Sequence, residues 1–379
     1  MTEIKKGLAG VVVDTTKVSN VVPETNSLTY RGYAVQELAA NCNFEEVAYL
    51  IWNGELPSTD ELAAFTETER AQRQPSKAVI DALTSLPTTC HPMDSLRTAV
   101  SIMGAEDPIA ADASAEHLPS RDQLIAASMR MFAQLPAAFA WDYRRRKGLD
   151  YIAPDASLSF AENVFHQTFG EVPPAEVVKA FEISLILYAE HSFNASTFTG
   201  RVITSTLSDI YSSVTGAIGA LKGPLHGGAN EQVMHMMLEI DDPSKAAQWM
   251  TDALANKRKI MGFGHRVYRS GDSRVPTMKA AFLAMAERTD GAKWVEMYEE
   301  LEKTMVDAKG IYPNLDFPAG PAYYLMGFEI PMFTPIFVLS RITGWTAHII
   351  EQLESNSLIR PLSQYDGQEQ RSVPVKSRA

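Results

Sequence analysis

From Tyr33 onward nearly every stretch of this chain repeats apolar side chains at helical spacing, and the repeats stop at Pro or Gly. That pattern leaves little room for a sheet and predicts a mainly α-helical protein. Segments 91–104, 121–147, 160–169, 175–190 and 203–221 carry it, followed by 229–239, 244–257, 276–288, 292–309, 321–327 and 333–354. Three helix starts bear a capping box: Ser58 with Glu61, Ser120 with Gln123, and Ser159 with Glu162. Pro136 is expected to break or kink the segment it interrupts. The opening residues read differently. Gly10–Asp14 and Lys17–Val22 alternate weakly and predict a short N-terminal strand or β-hairpin. The polar residues from Tyr365 to the end are expected to be loose or draped on a partner.

A chain of 379 residues exceeds one ordinary core, so two domains, or a large helical domain with an inserted lobe, are expected. The net charge of −12 argues against nucleic-acid binding, which needs a broad basic face. It also means that an anionic substrate must be met by a local island of positive charge. The two cysteines, Cys42 and Cys90, are too few for a disulfide framework and suggest a reduced, cytoplasmic setting. The N-terminus MTEIKKGLAG has no apolar core of a secretory signal. The most apolar late stretch, Ile330–Ser340, is too short and proline-bearing to span a membrane.

Three short segments hold the chemistry. They are Gly223-Pro-Leu-His-Gly-Gly-Ala-Asn230, Gly262-Phe-Gly-His-Arg-Val-Tyr-Arg269 and Pro313-Asn-Leu-Asp-Phe-Pro-Ala-Gly320. Each sets one proton-handling side chain (His226, His265, Asp316) among Gly and Pro, where backbone bends tightly and can approach a ligand. Two imidazoles and a carboxylate suit proton transfer at carbon and oxygen near neutral pH. A helix starting at Ala229 would point its positive end toward His226 and favour a neutral ring. Asp316 reads as a loop residue, with Leu315 and Phe317 to desolvate it. The positive island is also present: Lys257, Arg258, Lys259, Arg266, Arg269 and Arg274 face one acid, Asp272.

Other chemistries fit less well. The Gly-x-Gly before His265 lacks the third glycine and the preceding strand of a dinucleotide loop. His191, His226, His235 and His265 follow no metal-ligand spacing, and no metal site is expected. No Gly-x-Ser-x-Gly nucleophile elbow occurs.

With those residues in hand, the chain resembles the citrate synthase family, in its shorter dimeric bacterial and archaeal form and including the 2-methylcitrate synthases. The resemblance runs from Leu28-Thr-Tyr-Arg-Gly-Tyr33 through Ala189-Glu-His-Ser-Phe-Asn-Ala-Ser-Thr197 and the three segments above. It ends at Phe337-Val-Leu-Ser-Arg-Ile-Thr-Gly-Trp345, Glu351-Gln352 and Leu358-Ile-Arg-Pro361. It implies a nearly all-α fold: a large domain of residues 1–226 and 323–379, and a small domain of 227–322 that closes over the site, with joints near Gly223-Pro224 and Gly320-Pro321. It implies that Asp316 deprotonates an acyl-CoA thioester, that His226 stabilises the enol or enolate, and that His265 polarises or protonates the ketone of oxaloacetate. His191, Arg274 and Arg341 would contact oxaloacetate, joined by Arg360 from the neighbouring subunit of a homodimer.

The stretch Arg258, Lys259, Ile260, Met261, Gly262, Phe263, Gly264 would bind CoA, with Lys309 and Asn314. No tightly bound cofactor is implied, because the CoA thioester is a substrate, and ordered binding with oxaloacetate first is. The leading reading is citrate synthase, with 2-methylcitrate synthase, or both activities, as the alternative. Where many relatives continue Phe-Tyr-Ser after the aspartate, this chain has Phe317-Pro318-Ala319, which leaves acyl selectivity open. A second class of reading is an inactive helical dimer that binds CoA or a dicarboxylate. The intact His226, His265 and Asp316 weigh against it.

Overall fold

The computed structural model describes residues 4–112, 118–268 and 271–373, so Arg269 lies outside the described residues. A three-stranded antiparallel sheet, β1 (Ser19–Val22), β2 (Ser27–Tyr30) and β3 (Tyr33–Ala34), opens the fold. Its register pairs Ser19 with Tyr30, Val21 with Leu28, and Thr29 with Ala34. Gly10–Asp14 is not a strand. Val12 is 88 % exposed and its valine neighbours are exposed too, so no facing surface rewards an extended ladder there.

Helices follow. The first group is α1 (Val35–Asn41), α2 (Phe44–Asn53), α3 (Thr59–Ala71), α4 (Lys77–Ser85), α5 (Pro92–Glu106), α6 (Pro108–Asp112), α7 (Arg121–Arg146) and α8 (Phe160–Phe169). The second is α9 (Ala175–Tyr188), α10 (Ala195–Thr204), α11 (Ile210–Leu221), α12 (Ala229–Ile240), α13 (Ala246–Ala255), α14 (Val275–Ala286), α15 (Ala292–Lys309), α16 (Asp316–Leu325) and α17 (Phe333–Glu354). The mainly helical class read from spacing is therefore the observed one.

All three expected capping boxes form, and Asn43 with Glu46 makes a fourth at α2. Three details differ from the spacing. The segment expected as one helix over 203–221 is two, because Asp209 accepts the Ser212 N–H and starts α11 afresh after Leu207 turns left-handed (φ +67). Pro136 does not divide α7. Helix α16 begins at Asp316, earlier than position 321, because Pro318 falls in its first turn, where a missing N–H costs nothing. Asp316 is thus a helix residue, and the joint expected at Gly320-Pro321 lies inside α16.

Helix α17 is the axis of the packing. Every residue from Phe333 to Ile350 is buried, and it packs on α2, α7, α9, α10 and α11. A helix this enclosed carries no charge without reason, yet Arg341 stands at its middle, 1 % exposed. Helices α12 and α14 pack on α16, and α14 also packs on α9. This places the head of α16, and so Asp316, beside the C-terminal end of α9.

Candidate active site

The loops bearing His265 and Asp316 are zipped together. The Gly264 N–H donates to Tyr312 O (2.8 Å), the Asn314 N–H to Gly262 O (2.9 Å), and Asn314 Nδ2 to Gly264 O (2.9 Å). Phe263 packs on Phe317, ring centroids 4.4 Å apart. Gly262 needs its freedom here: φ is +86, and a β-carbon would lie 2.5 Å from Val233 Cγ2 and 3.0 Å from Phe317. One short bridge therefore sets the second histidine relative to the carboxylate.

Backbone amides fix both histidine tautomers. The Ser196 N–H, in the first turn of α10, donates to His226 Nε2 (3.2 Å). Ser196 Oγ lies 2.8 Å from the same nitrogen and itself accepts from Trp345 Nε1 (3.0 Å). Nε2 is therefore the acceptor, and Nδ1 of His226 carries the proton. The helix end that reaches this ring is that of α10, where the sequence suggested α12. In the second loop, His265 Nδ1 accepts from the N–H groups of Val267 (3.0 Å) and Tyr268 (3.1 Å), so its proton sits on Nε2. Burial, joined by the Arg341 charge, lowers His226 to about 4. Burial and Arg274 lower His265 to about 4, with Asp272 opposing. Both rings are neutral hydrogen-bond donors at neutral pH.

Asp316 is the first residue of α16, and its Oδ1 accepts from the Tyr188 hydroxyl (2.6 Å). The helix end and Tyr188 favour the carboxylate, but burial outweighs them and raises its pKa to about 6. The result is a carboxylate more basic than usual that is still about nine-tenths ionised at pH 7.

A chain of contacts joins these groups. Tyr188 lies on Phe337, ring centroids 4.2 Å apart, and the His226 ring meets Phe337 edge-to-face at 6.3 Å. The Arg341 guanidinium sits over Phe337 (4.7 Å) and donates from Nε to Tyr188 O (2.6 Å), while its buried Nη1 has no partner among the described residues. The His191 ring is 5.0 Å from that of His265, and His191 Nε2 is likewise buried and, among the described residues, unpartnered. Burial, then Arg274 and His265, hold His191 well below the usual imidazole range. Arg274 differs from Arg341 in having its own counter-ion: Asp272 accepts from Nη2 (2.6 Å) and Nε (2.9 Å). The second oxygen of Asp272 also accepts the Leu315 N–H (3.3 Å), which ties the arginine to the loop of Asp316. Although burial pushes Asp272 up, Arg274 holds it far below the carboxylate range. A buried cation and a buried ring nitrogen, unpaired among the described residues, lie beside two neutral donors, an arrangement chemically suited to a small anion with a polarisable carbonyl.

The other expected residues divide. His191, His226, His265, Asp316, Arg274 and Arg341 are brought together. Arg258 lies at the surface, paired with Glu239 (2.6 Å) over the Trp249 ring (4.8 Å). Lys259 and Lys309 are exposed, while Ile260 and Met261 are half-buried. Arg360 is exposed in the irregular tail after α17. Spacing and composition missed Tyr188, Ser196, Asp272 and Trp345. Only Asp272 carried a hint, as the sole acid in the basic stretch.

The family model of the citrate synthase C-terminal domain matches residues 7–362. A 2-methylcitrate synthase of Mycobacterium tuberculosis is 62% identical over 372 residues, which cover 98% of this chain and 93% of that protein. A citrate synthase of Mycolicibacterium smegmatis is 61% identical over 370 residues, covering 98% and 97%. Among solved structures, the citrate synthase of Thermoplasma acidophilum, in a ternary complex with carboxymethyl coenzyme A and oxaloacetate, aligns with a TM-score of 0.92 at 35% identity, covering 99% of each chain. The chain belongs to the citrate synthase family. It is an acyl-transferring condensing enzyme.

Proposed function

We propose that this enzyme condenses propionyl-CoA with oxaloacetate to give 2-methylcitrate and CoA, and that it also accepts acetyl-CoA to give citrate. Asp316 takes the α-proton of the thioester, and the Nδ1–H of His226 donates to the thioester oxygen as it becomes an enolate. The α-carbon attacks the ketone of oxaloacetate, whose oxygen takes the Nε2 proton of His265. Water then cleaves the bound thioester, releasing CoA. Arg341, Arg274, His191 and the partner subunit's Arg360 hold the two carboxylates, in planar geometry that guanidinium groups match.

The observation that carries this reading is the pairing of two amide-locked neutral imidazoles with a carboxylate raised to about 6. A thioester α-proton is weakly acidic, so removal must be concerted with donation to the oxygen. A neutral imidazole is a donor matched to an enolate. Each positioned acid or base supplies about 10²–10⁴-fold. Residues 227–322 would move as the closing lobe, with Pro321 as a soft point inside α16 and Gly223-Pro224 as the other joint. Arg258, Lys259, Lys309 and the 260–264 backbone would meet the CoA nucleotide, Arg258 exchanging Glu239 for phosphate.

The propionyl preference rests on likeness to the 2-methylcitrate synthases, against the citrate reading that led from the sequence. It does not rest on Phe317, Pro318 and Ala319, which are buried at the head of α16. The 61% identity to a citrate synthase favours retained acetyl-CoA use. One methylene is worth about 1–3 kcal/mol in an apolar pocket, so the two donors should differ by about 10–200-fold in kcat/KM. Thiol release with each donor at saturating oxaloacetate tests it. A higher kcat/KM for acetyl-CoA would return the enzyme to the citrate reading.

A further inference from the structure

Behind Arg341 and His191 lies a buried polar cluster that the chemistry above does not use. Glu190 and His348 are both fully buried, and their side chains meet at 2.8 Å. Glu190 Oε1 accepts from three donors: His348 Nε2, Ser19 Oγ (2.9 Å) and the Ser192 N–H (2.5 Å). The last of these closes a turn around His191, because Glu190 and Ser192 are its two chain neighbours. Ser192 holds a left-handed φ of +51, which a non-glycine residue keeps only when its surroundings enforce it. Its N–H is also shared with Ser19 Oγ (2.9 Å), so the N-terminal sheet braces the same turn.

The other nitrogen of His348 sets the direction of the cluster. Arg201 Nη1 lies 3.0 Å from His348 Nδ1, and an arginine can only donate. Nδ1 therefore accepts, and the Nε2 proton points at Glu190. Arg201 is itself buried, held by Glu351 (2.9 Å) and stacked over Phe193 (4.5 Å).

The second oxygen of Glu190 has no hydrogen-bond partner among the described residues and lies against α17 at Gly344, one turn beyond Arg341. A β-carbon at Gly344 would stand 2.3 Å from that oxygen, so the glycine is what admits the carboxylate. Arg341 has no carboxylate within ion-pair distance among the described residues, and its Nη1 is free. Glu190 is the acid whose charge supports it: burial lowers Arg341 to about 10, and Glu190 pulls it the other way.

We propose that Glu190 and His348 are positioning residues of the dicarboxylate site: they set the His191 turn and, by holding the Glu190 carboxylate against Gly344, leave Arg341 Nη1 for a substrate carboxylate. This rests on the proposed function, and it assigns these two residues to oxaloacetate affinity rather than to the acyl half of the reaction.

The test compares wild type with Glu190→Gln, His348→Gln and Ser19→Ala in steady-state kinetics and in calorimetric titration with oxaloacetate. Glu190→Gln and His348→Gln should raise the KM and Kd for oxaloacetate roughly tenfold, the usual lower scale for groups that orient a binding residue. The kcat should stay within about threefold and the KM for acyl-CoA should not move. Ser19→Ala, the mildest change, should raise the oxaloacetate KM by about two- to threefold. A lower Tm with unchanged oxaloacetate KM and Kd would overturn the proposal, because the pair would then serve only the fold. If the two core variants are insoluble, Ser19→Ala decides alone, and an unchanged KM and Kd overturns the proposal. A wild type that releases no thiol with either donor refutes the proposed function instead, and the titrations still judge the pair.

Discussion

His226 and His265 are neutral in opposite tautomers: the first keeps its proton on Nδ1 because Ser196 N–H occupies Nε2, the second on Nε2 because two amides occupy Nδ1. Neither assignment needs a charged partner, and neither changes with pH until the rings protonate near 4.

The acid limb of activity should therefore belong to Asp316. With its pKa near 6 and the base form required, log kcat/KM should fall with unit slope below about pH 6 and be level above it. A profile that falls instead as pH rises through 6–7 would mean that an imidazolium is the working form.

Tyr188 sets where that limb lies. Its hydroxyl favours the ionised Asp316, so Tyr188→Phe should move the limb to higher pH by about half a unit to one unit. The kcat should fall by up to about tenfold with the fold intact. An unmoved limb, measured from pH 5 to 8, would detach Tyr188 from the base.

Asp316 should cost stability where it is charged. Its folded pKa is raised from 3.8 to about 6, so the stability it allows is full below about pH 4 and is lost as pH rises through 6. Asp316→Asn should then be more stable than wild type at pH 7.5, by at most about 3 kcal/mol, and equal to it at pH 4. Denaturant titration at the two pH values checks this, and equal stability at both would place the carboxylate in a wetter site.

Much of this site was legible in the sequence because Gly and Pro frame it. His226, His265 and Asp316 each stand out in a segment whose composition only a tight turn or a ligand explains. Tyr188 and Ser196 did not stand out, because one lies at the end of an apolar helix and the other beside an N-cap, where their types are ordinary. Prolines misled in both directions. Pro136 sits in a helix that runs through it, and Pro318 hid the start of α16, because spacing cannot tell a first turn from a loop. The Glu190–His348 pair joins positions far apart in the chain, and nothing local announces it.

The dimer proposal has its own readout. Arg360 lies exposed in a tail that also exposes Leu358, Leu362 and Tyr365, and we expect the partner to cover it. Wild type should elute as a dimer in size-exclusion chromatography. Arg360→Ala should disable the site housed in the other subunit. Mixed dimers of Arg360→Ala with Asp316→Asn should then regain activity in one of their two sites; no regained activity would place the arginine in its own subunit's site, and a fully active Arg360→Ala homodimer would place it in neither.

The central claim is that Asp316 is the base and does not hold the substrate. The direct measurement sets thiol release from propionyl-CoA by Asp316→Asn beside its oxaloacetate affinity in calorimetry. The account predicts turnover lower by about 10³-fold or more, with oxaloacetate Kd within about threefold of wild type. Loss of both in equal measure would contradict it, making Asp316 a support of the pocket rather than the group that takes the proton.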